Sequence, residues 1–460
     1  MKKLRCLIFV EADVVVRHFI NSNSFNDLLN KHEVKFIFPE EGNKRFSNID
    51  PKNLNIFDKY ERLNHNKRRY YAWKQLFHVD QLKFRFDVQA KAMRHFRKKT
   101  LKWKAATLYT FLGLPIIWHI FKFYKKISLL NNLDTDMKNL IEKFQPDVVI
   151  HPCVLEGLFL NDLIQITKDK KIPLVVIMNS WDNPSTKNAM IGTPDWLLVW
   201  GKQTKDHAIR FCKMPDKNVI KFGAAQFDIY NEVPEVSKKD FYNSYGFSDK
   251  DFILLYAGSS KGTDEIKQLN LLENAINQGI LKNIKVIYRP HPWGQGGKNG
   301  SKIIDIKWKN ILFDKSMIGY LTQLKKGDTS KFLSNYDDTH NILSHVDAVI
   351  SPLSTILIEA AIHGKASLCF LPYEDKSLHF KIDSALIHFQ DFFQSKYFLK
   401  AKGYNKLISE TSKLIDFSKK KNLSEDLKKE ANYYVKKFKQ PYNKRLTKLI
   451  ETVYSTGNND

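Results

Sequence analysis

At 460 residues, 43% of them hydrophobic, the chain is long enough for two or three cores and too apolar for a disordered protein. Of the formal net charge of +25, a local +12 lies between Arg62 and Lys104, where fourteen Lys or Arg stand against Asp80 and Asp87. No helix-turn-helix, RNP or zinc-finger pattern accompanies that patch, which argues against nucleic acid and leaves anionic lipid or an acidic substrate as its partner.

The chain opens with MKKLR and an apolar run over 6–10. Glu11 and Asp13 end the run without a small-residue cleavage site, so it reads as a first core strand rather than a signal peptide. After the basic patch, residues 105–121 (AATLYTFLGLPIIWHIF) carry no Lys, Arg, Asp or Glu. The stretch falls short of the roughly 20 residues of a span and contains Gly113 and Pro115. Trp103, Tyr109, Trp118 and Tyr124, with lysines at 102, 104, 122, 125 and 126, suit a headgroup layer. The insertion over 62–126 is therefore expected to lie on the inner face of a membrane. Asp134-Thr135-Asp136 has a DxD form, but it sits in a polar linker and is expected to be a solvated turn.

Short apolar runs at 6–10, 35–38, 147–150, 174–178, 196–200 and 219–222 alternate with helical spacing, as at 155–167. A polar, proline-containing stretch (NEVPEVSKKD) after Tyr230 marks a boundary. Strands are then expected at 252–257, 284–288, 311–313, 347–350 and 366–371, with helices at 264–278, 338–345 and 356–363, the last closed by Gly364. The tail is Lys-rich and helical. The pattern predicts an α/β protein of two doubly wound domains across a cleft, 1–235 and 236–460. Four widely spaced cysteines, Cys6, Cys153, Cys212 and Cys369, are expected to be buried thiols of a reducing, cytoplasmic compartment.

In such sheets ligands bind beyond the carboxyl ends of strands, so polar residues just after strands are the candidates. After 252–257 come Gly258, Ser259, Ser260 and Lys261, small enough for close backbone approach to phosphate, with a lysine charge. After 284–288 come Arg289 and His291, the histidine fixed between Pro290 and Pro292. An imidazole held there can meet a diphosphate or a leaving group. After 347–350, Ser354 and Thr355 start a helix that carries Glu359 one turn in, within reach of a ribose diol. In the first half, Trp181, Asp182 and Lys187 follow a strand. Asp182 there is a candidate base and Trp181 a face for a sugar ring. Glu11, Asp13 and His18 form a rival set after the first strand, and Gln226 and Asp228 a third near the boundary. There is no HExxH and no Cys/His set with metal-ligand spacing.

The stretches YRPHP at 288–292 and SPLSTILIEAAIHGK at 351–365 together resemble the GT-B glycosyltransferase superfamily. The nearest groups are the CDP-glycerol glycerophosphotransferase-like, capsule Kdo transferase-like and UDP-N-acetylglucosamine 2-epimerase-like ones. FGAAQFD at 222–228 resembles the Gly-x-Pro-x-x-Asp stretch of such proteins, with Ala225 in place of the proline. Glycerophosphotransferases carry a Thr-Asp-Tyr-Ser-Ser-like stretch where this chain has Ile350-Ser351-Pro352-Leu353-Ser354, which disfavours polyol-phosphate transfer. The resemblance implies two Rossmann-like domains with C-terminal helices, the second binding a nucleotide-sugar as co-substrate through His291, Ser354, Thr355 and Glu359, without cofactor or essential metal. It implies transfer to a glycan or lipid-linked acceptor of surface polysaccharide biosynthesis (capsule or lipopolysaccharide), with Asp182 or Asp13 as base. The alternatives are a sugar-nucleotide epimerase of the same fold and a non-catalytic polysaccharide assembly protein.

Overall fold

Both sets of β-branched, apolar runs form parallel sheets, the arrangement open to strands covered on both faces. The computed structural model describes residues 2–43, 45–46, 49–56, 59–82, 93–94, 98, 101–131, 134–260, 263–294, 300–328, 332, 334–375 and 384–457. The chain divides into two units, residues 1–228 with 434–460, and residues 229–433.

In the first unit the strands are β1 (Arg5–Phe9), β2 (Glu33–Pro39), β3 (Tyr60–Leu63), β4 (Val148–Cys153), β5 (Leu174–Met178), β6 (Trp196–Val199) and β7 (Val219–Lys221). They are ordered β3-β2-β1-β4-β5-β6-β7, every pair parallel. Strand order reverses beside β1, so the carboxyl ends of β1 and β4 flank the switch point of this sheet. The final helix, Tyr442–Gly457, was expected with the second domain but belongs here. Leu446, Ile450 and Val453 enter the same core as Ile8, Phe36 and Val148.

The second unit has β8 (Phe252–Ala257), β9 (Ile284–Arg289), β10 (Ile311–Phe313), β11 (Ala348–Ser351), β12 (Ala366–Leu371) and β13 (Phe398–Lys402), ordered β10-β9-β8-β11-β12-β13 and again all parallel. Its switch point lies between β8 and β11. The edge strands β3 (YERL) and β13 (FLKAK) are the ones the apolar pattern did not predict, because an edge strand is covered less and keeps its charges. All four cysteines are buried and free.

Asp134 departs from expectation. It is buried, and its carboxylate accepts the Met137 amide at 3.0 Å, capping the helix Thr135–Phe144. The DxD pattern is thus a helix start, and among the described residues no group of three or more His, Cys, Asp or Glu is arranged to hold a metal.

The insertion folds as helices Lys67–Leu82, Trp103–Leu112 and Pro115–Leu130; the remainder of the basic patch, over 83–92, 95–97 and 99–100, lies outside the described residues. Pro115 occupies the first turn of its helix, where its missing N–H costs nothing, and the two helices meet at 96°. One face of the pair packs Trp118 and Leu129 on Trp73, Leu76 and Val79. A buried ion pair pins the base: the Arg69 guanidinium donates to Asp162 and, at 2.9 Å, to the Leu129 carbonyl, while the Trp73 indole N–H donates to Asp162 at 3.1 Å. Arg69 is therefore structural, not part of a solvated basic surface. Breaking such a pair from one side costs about 3–5 kcal/mol. The opposite face leaves Trp103, Leu108, Phe111, Leu114, Ile116, Ile120, Phe123, Tyr124 and Ile127 exposed. No single described helix is long and apolar enough to cross a membrane.

Candidate functional site

In the second unit, the loops after β8, β9 and β11 lie at the same edge of the sheet. Helix Glu265–Asn277 follows β8, and Asp264 caps it by accepting the Lys267 amide at 3.1 Å. Glu265, which the sequence did not single out, turns back under the loop. Its carboxylate accepts the Ser259 amide at 2.8 Å and the Tyr288 hydroxyl. A Cβ at Gly258 would stand 2.6 Å from that carboxylate, so only glycine lets it in. Burial, partly offset by the Tyr288 and Ser259 hydrogen bonds, raises the Glu265 carboxyl to about 7.

This corrects the expectation for Ser259: it is fully buried and its amide is turned inward to Glu265. Ser260 is exposed, and Lys261 lies outside the described residues.

Arg289 also departs from expectation. It is buried, its guanidinium donating to Asp314, to the Ser316 hydroxyl at 3.0 Å and to the Thr339 hydroxyl at 3.0 Å. It braces the end of β9 instead of presenting a fork to a donor, while its charge acts on Asp314 foremost and also on Asp338 and Glu359.

His291 is partly exposed. Its Nδ1 accepts the Trp293 amide at 3.1 Å, so the neutral ring carries its proton on Nε2. The turn that holds it presses on the β8 loop: a Cβ at Gly294 would lie 2.5 Å from the Ser259 carbonyl oxygen. The glycine after Trp293 thereby sets the distance between two candidate loops, a role the sequence left unread.

Thr355 precedes helix Ile356–Ile362 but its side chain makes no cap hydrogen bond. Simple N-capping therefore does not account for the hydroxyls of Ser354 and Thr355, both of which are partly exposed. The helix is only seven residues long, so its dipole adds little beyond those groups. Glu359 is buried, and its Oε2 accepts the Tyr230 hydroxyl at 2.5 Å.

In the first unit, two candidate sets converge over β4. His18, after β1, donates to the backbone of Asn179, after β5, and the Lys187 charge acts on its ring. Burial foremost, then Arg17, pushes His18 down to about 3, so it stays neutral. Asp182 sits beside Lys187 at 3.5 Å and accepts from the Thr186 hydroxyl and the Asn183 amide, each at 3.2 Å. Its side chain retains 22% exposure and that of Lys187 38%, whereas Asp13 is 1% exposed. Of the two carboxylates named as a base, Asp182 is the accessible one.

Glu11 is fully buried: it accepts the Leu158 amide at 2.5 Å, lies 3.6 Å from His151 Nε2, and would meet a Cβ at Gly157 at 2.1 Å. It clamps the loop after β4 and is a support, not a reactant.

Two acceptor expectations, Trp181 and Gln226, fail on burial, and a third, Asp228, is engaged in a structural contact. Trp181 is 3% exposed and packs edge-on against Tyr434 at 6.1 Å, so its ring offers no open face. Gln226 is 2% exposed. Asp228 accepts the Tyr442 amide at 2.6 Å and lies 3.8 Å from Arg445, which fastens the final helix.

No family model matches the chain, and no curated protein matches its sequence. Solved structures do. The chain aligns with MnaA from S. aureus in a co-structure with UDP over 98% of its length and 97% of that chain, at TM-score 0.53 and 10% identity. It aligns with a UDP-GlcNAc 2-epimerase from Neisseria meningitidis bound to UDP-GlcNAc over 98% and 100%, at 0.51 and 13%. A UDP-N-acetylglucosamine 2-epimerase from Rickettsia bellii matches over 99% and 98%, at 0.50 and 12%.

The buried carboxyl gives a test. Its pKa is higher folded than unfolded, so Glu265 stabilises the fold at low pH, and that contribution is lost as pH rises from the ordinary carboxyl value of 4.5 to about 7. Glu265→Gln keeps a neutral group in place, and its melting temperature should gain on wild type as pH rises through that window, by up to about 3 kcal/mol in stability. Thermal unfolding at a series of pH values reads the difference, and parallel curves for the two proteins would contradict the assignment. In both halves the chain has the GT-B type fold: two Rossmann-like α/β units with C-terminal helices.

Proposed function

We propose that this chain is a glycosyltransferase that moves a sugar from a UDP-linked donor to a membrane-associated glycan or lipid-linked acceptor, working from the cytoplasmic face of the membrane in surface polysaccharide biosynthesis. The donor reading rests on one observation: the segments after β9 and β11 bring an Nε2-protonated His291, the uncapped hydroxyls of Ser354 and Thr355, and Glu359 to one sheet edge. Those groups suit a nucleoside diphosphate, with His291 and the hydroxyls toward the phosphates and Glu359 toward the ribose. Two aligned structures contain UDP or UDP-GlcNAc, which favours uridine over other bases.

In the transfer step the acceptor hydroxyl loses its proton to Asp182 and attacks the anomeric carbon. The bond to the diphosphate breaks, and the charge that develops on the leaving oxygens is met by His291. Lys187 beside Asp182 and the neutral His18 orient the acceptor. The chemistry asks nothing of a metal ion or a further cofactor.

A second reading, epimerisation of a UDP-sugar, is favoured by the named activity of the aligned structures. The exposed apolar face of Trp103–Leu112 and Pro115–Leu130 supports transfer instead. An enzyme of a soluble substrate has no use for nine large exposed apolar side chains flanked by lysines. At a 96° bend the pair suits lying in the headgroup layer, with Lys102, Lys104, Lys122, Lys125 and Lys126 toward anionic lipid.

Two measurements test this. Incubation with UDP-GlcNAc and other UDP-sugars should release UDP only when membranes carrying acceptor are added, and Asp182→Asn should slow release about 100-fold or more. Conversion to an epimeric UDP-sugar without acceptor would establish the second reading. Sedimentation with phosphatidylglycerol vesicles should recover wild type but not neutral-vesicle controls, with at least about tenfold weaker binding for the triple variant Ile116→Ser, Ile120→Ser, Phe123→Ser. Equal partition of the two proteins would remove the membrane role.

A further inference from the structure

Beneath Glu359 lies a cluster that substrate contact does not explain. Tyr230, 8% exposed, donates its hydroxyl to Glu359 Oε2 at 2.5 Å. Its ring rests on two imidazoles, with centroids 4.5 Å from His363 and 5.5 Å from His340. The two rings face each other, His340 Nδ1 lying 2.9 Å from His363 Nε2.

The outer nitrogens decide where the protons are. His363 Nδ1 lies 2.8 Å from the Glu359 carbonyl oxygen, and His340 Nε2 lies 3.1 Å from the Glu232 carbonyl oxygen. A carbonyl only accepts, so both outer nitrogens donate. Two neutral rings then have no proton left for the inner pair, and two lone pairs face each other at hydrogen-bond distance. The Ser344 hydroxyl, 3.4 Å from His340 Nδ1, is a long and poor donor to one of them. Exchanging a tautomer only moves the conflict to a carbonyl. Four nitrogens in this arrangement are satisfied by three protons, which is one more than two neutral rings carry.

The surroundings act in both directions. Burial lowers the proton affinity of both rings, taking His363 to about 4. Asp337 and Glu232 raise that of His340, and the Glu359 carbonyl raises that of His363. Lys365 and Lys428 oppose a charge on His363, and the neighbouring His345 is itself repelled by charge on His340. A second proton is thereby excluded, while the inner hydrogen bond rewards the first.

We propose that Tyr230 and the His340–His363 pair are positioning residues for Glu359, and that the pair takes up one shared proton, so that the grip of this unit on a uridine nucleotide depends on pH. This rests on the donor reading given above. The shared proton enters one ring nitrogen from solvent and bridges to the other; no covalent bond is made or broken. Because it completes the hydrogen bond between the two rings on which Tyr230 rests and adds positive charge beside an anionic ligand, the protonated pair is the tighter-binding state. By linkage, affinity falls as pH rises through the value at which the pair loses its proton, below the ordinary imidazole range.

The experiment is calorimetric titration of UDP into the full-length protein between about pH 4 and about pH 8, for wild type, Glu359→Ala, Tyr230→Phe and His340→Asn. Ionisation of UDP itself is common to all four. Tyr230→Phe keeps the ring contacts and should weaken UDP about tenfold or more, the value of one hydrogen bond to a charged group. His340→Asn can still donate to the Glu232 carbonyl, so it should fold; its melting temperature confirms this. It should lose the extra pH dependence seen in wild type. If Glu359→Ala weakens UDP while Tyr230→Phe does not, the positioning role is overturned. If wild type and His340→Asn give superimposable pH curves, the shared proton is overturned. If Glu359→Ala binds UDP as wild type does, or wild type binds none, the donor reading itself fails and this inference falls with it.

Discussion

A parallel sheet covered on both faces can open to solvent only at its ends, and that constraint governs where this chain can do chemistry. In each sheet the candidate side chains follow the carboxyl ends of its strands. The apolar runs that build β5, β9 and β11 are therefore also what positions Asp182, His291 and Glu359. Everything polar that turns inward must find a partner there, and the candidate residues sort themselves by whether they do.

Buried ionisable groups do the sorting. Glu11, Glu265, Arg69 and Arg289 are each enclosed and each holds a loop or helix: Glu11 the loop after β4, Glu265 the loop after β8, Arg69 the inserted helices, Arg289 the segment after β10. Such groups raise the cost of any other arrangement more than they add to net stability, since desolvation offsets much of their attraction. They also explain the glycines beside them. At Gly157 and Gly258 a carboxylate occupies the space a Cβ would take, and at Gly294 a carbonyl oxygen does. Among the candidates, His291, Ser354, Thr355, Asp182, Lys187 and Asp228 remain partly open.

Most of the architecture could be read from pattern. The strands at 252–257, 366–371 and 174–178 coincide with observed ones because central parallel strands are uniformly apolar. The edges β3 and β13 could not, since YERL and FLKAK carry charge. The site was legible at the level of loops and not of atoms. Arg289 and Asp228 sit where ligand-binding residues would, yet their partners Asp314 and Tyr442 are 25 and 214 residues away. Trp181 has a composition suited to sugar and a position closed by Tyr434. Conversely, Glu265, Tyr230 and the His340–His363 pair carry no local signal, because their meaning comes wholly from contacts across the fold. The inserted helices show one face packed in a core and the other exposed, a division that their apolar sequence does not mark.

The central claim is that the second unit holds a nucleoside diphosphate through the loops after β8, β9 and β11. Hydrogen–deuterium exchange of the full-length chain, with and without saturating UDP, tests it most directly. The account predicts slowed exchange in the segments around Ser260, His291–Gly294 and Ser354–Glu359, against an unchanged final helix. Protection absent from all three segments, with UDP shown to bind, would contradict it.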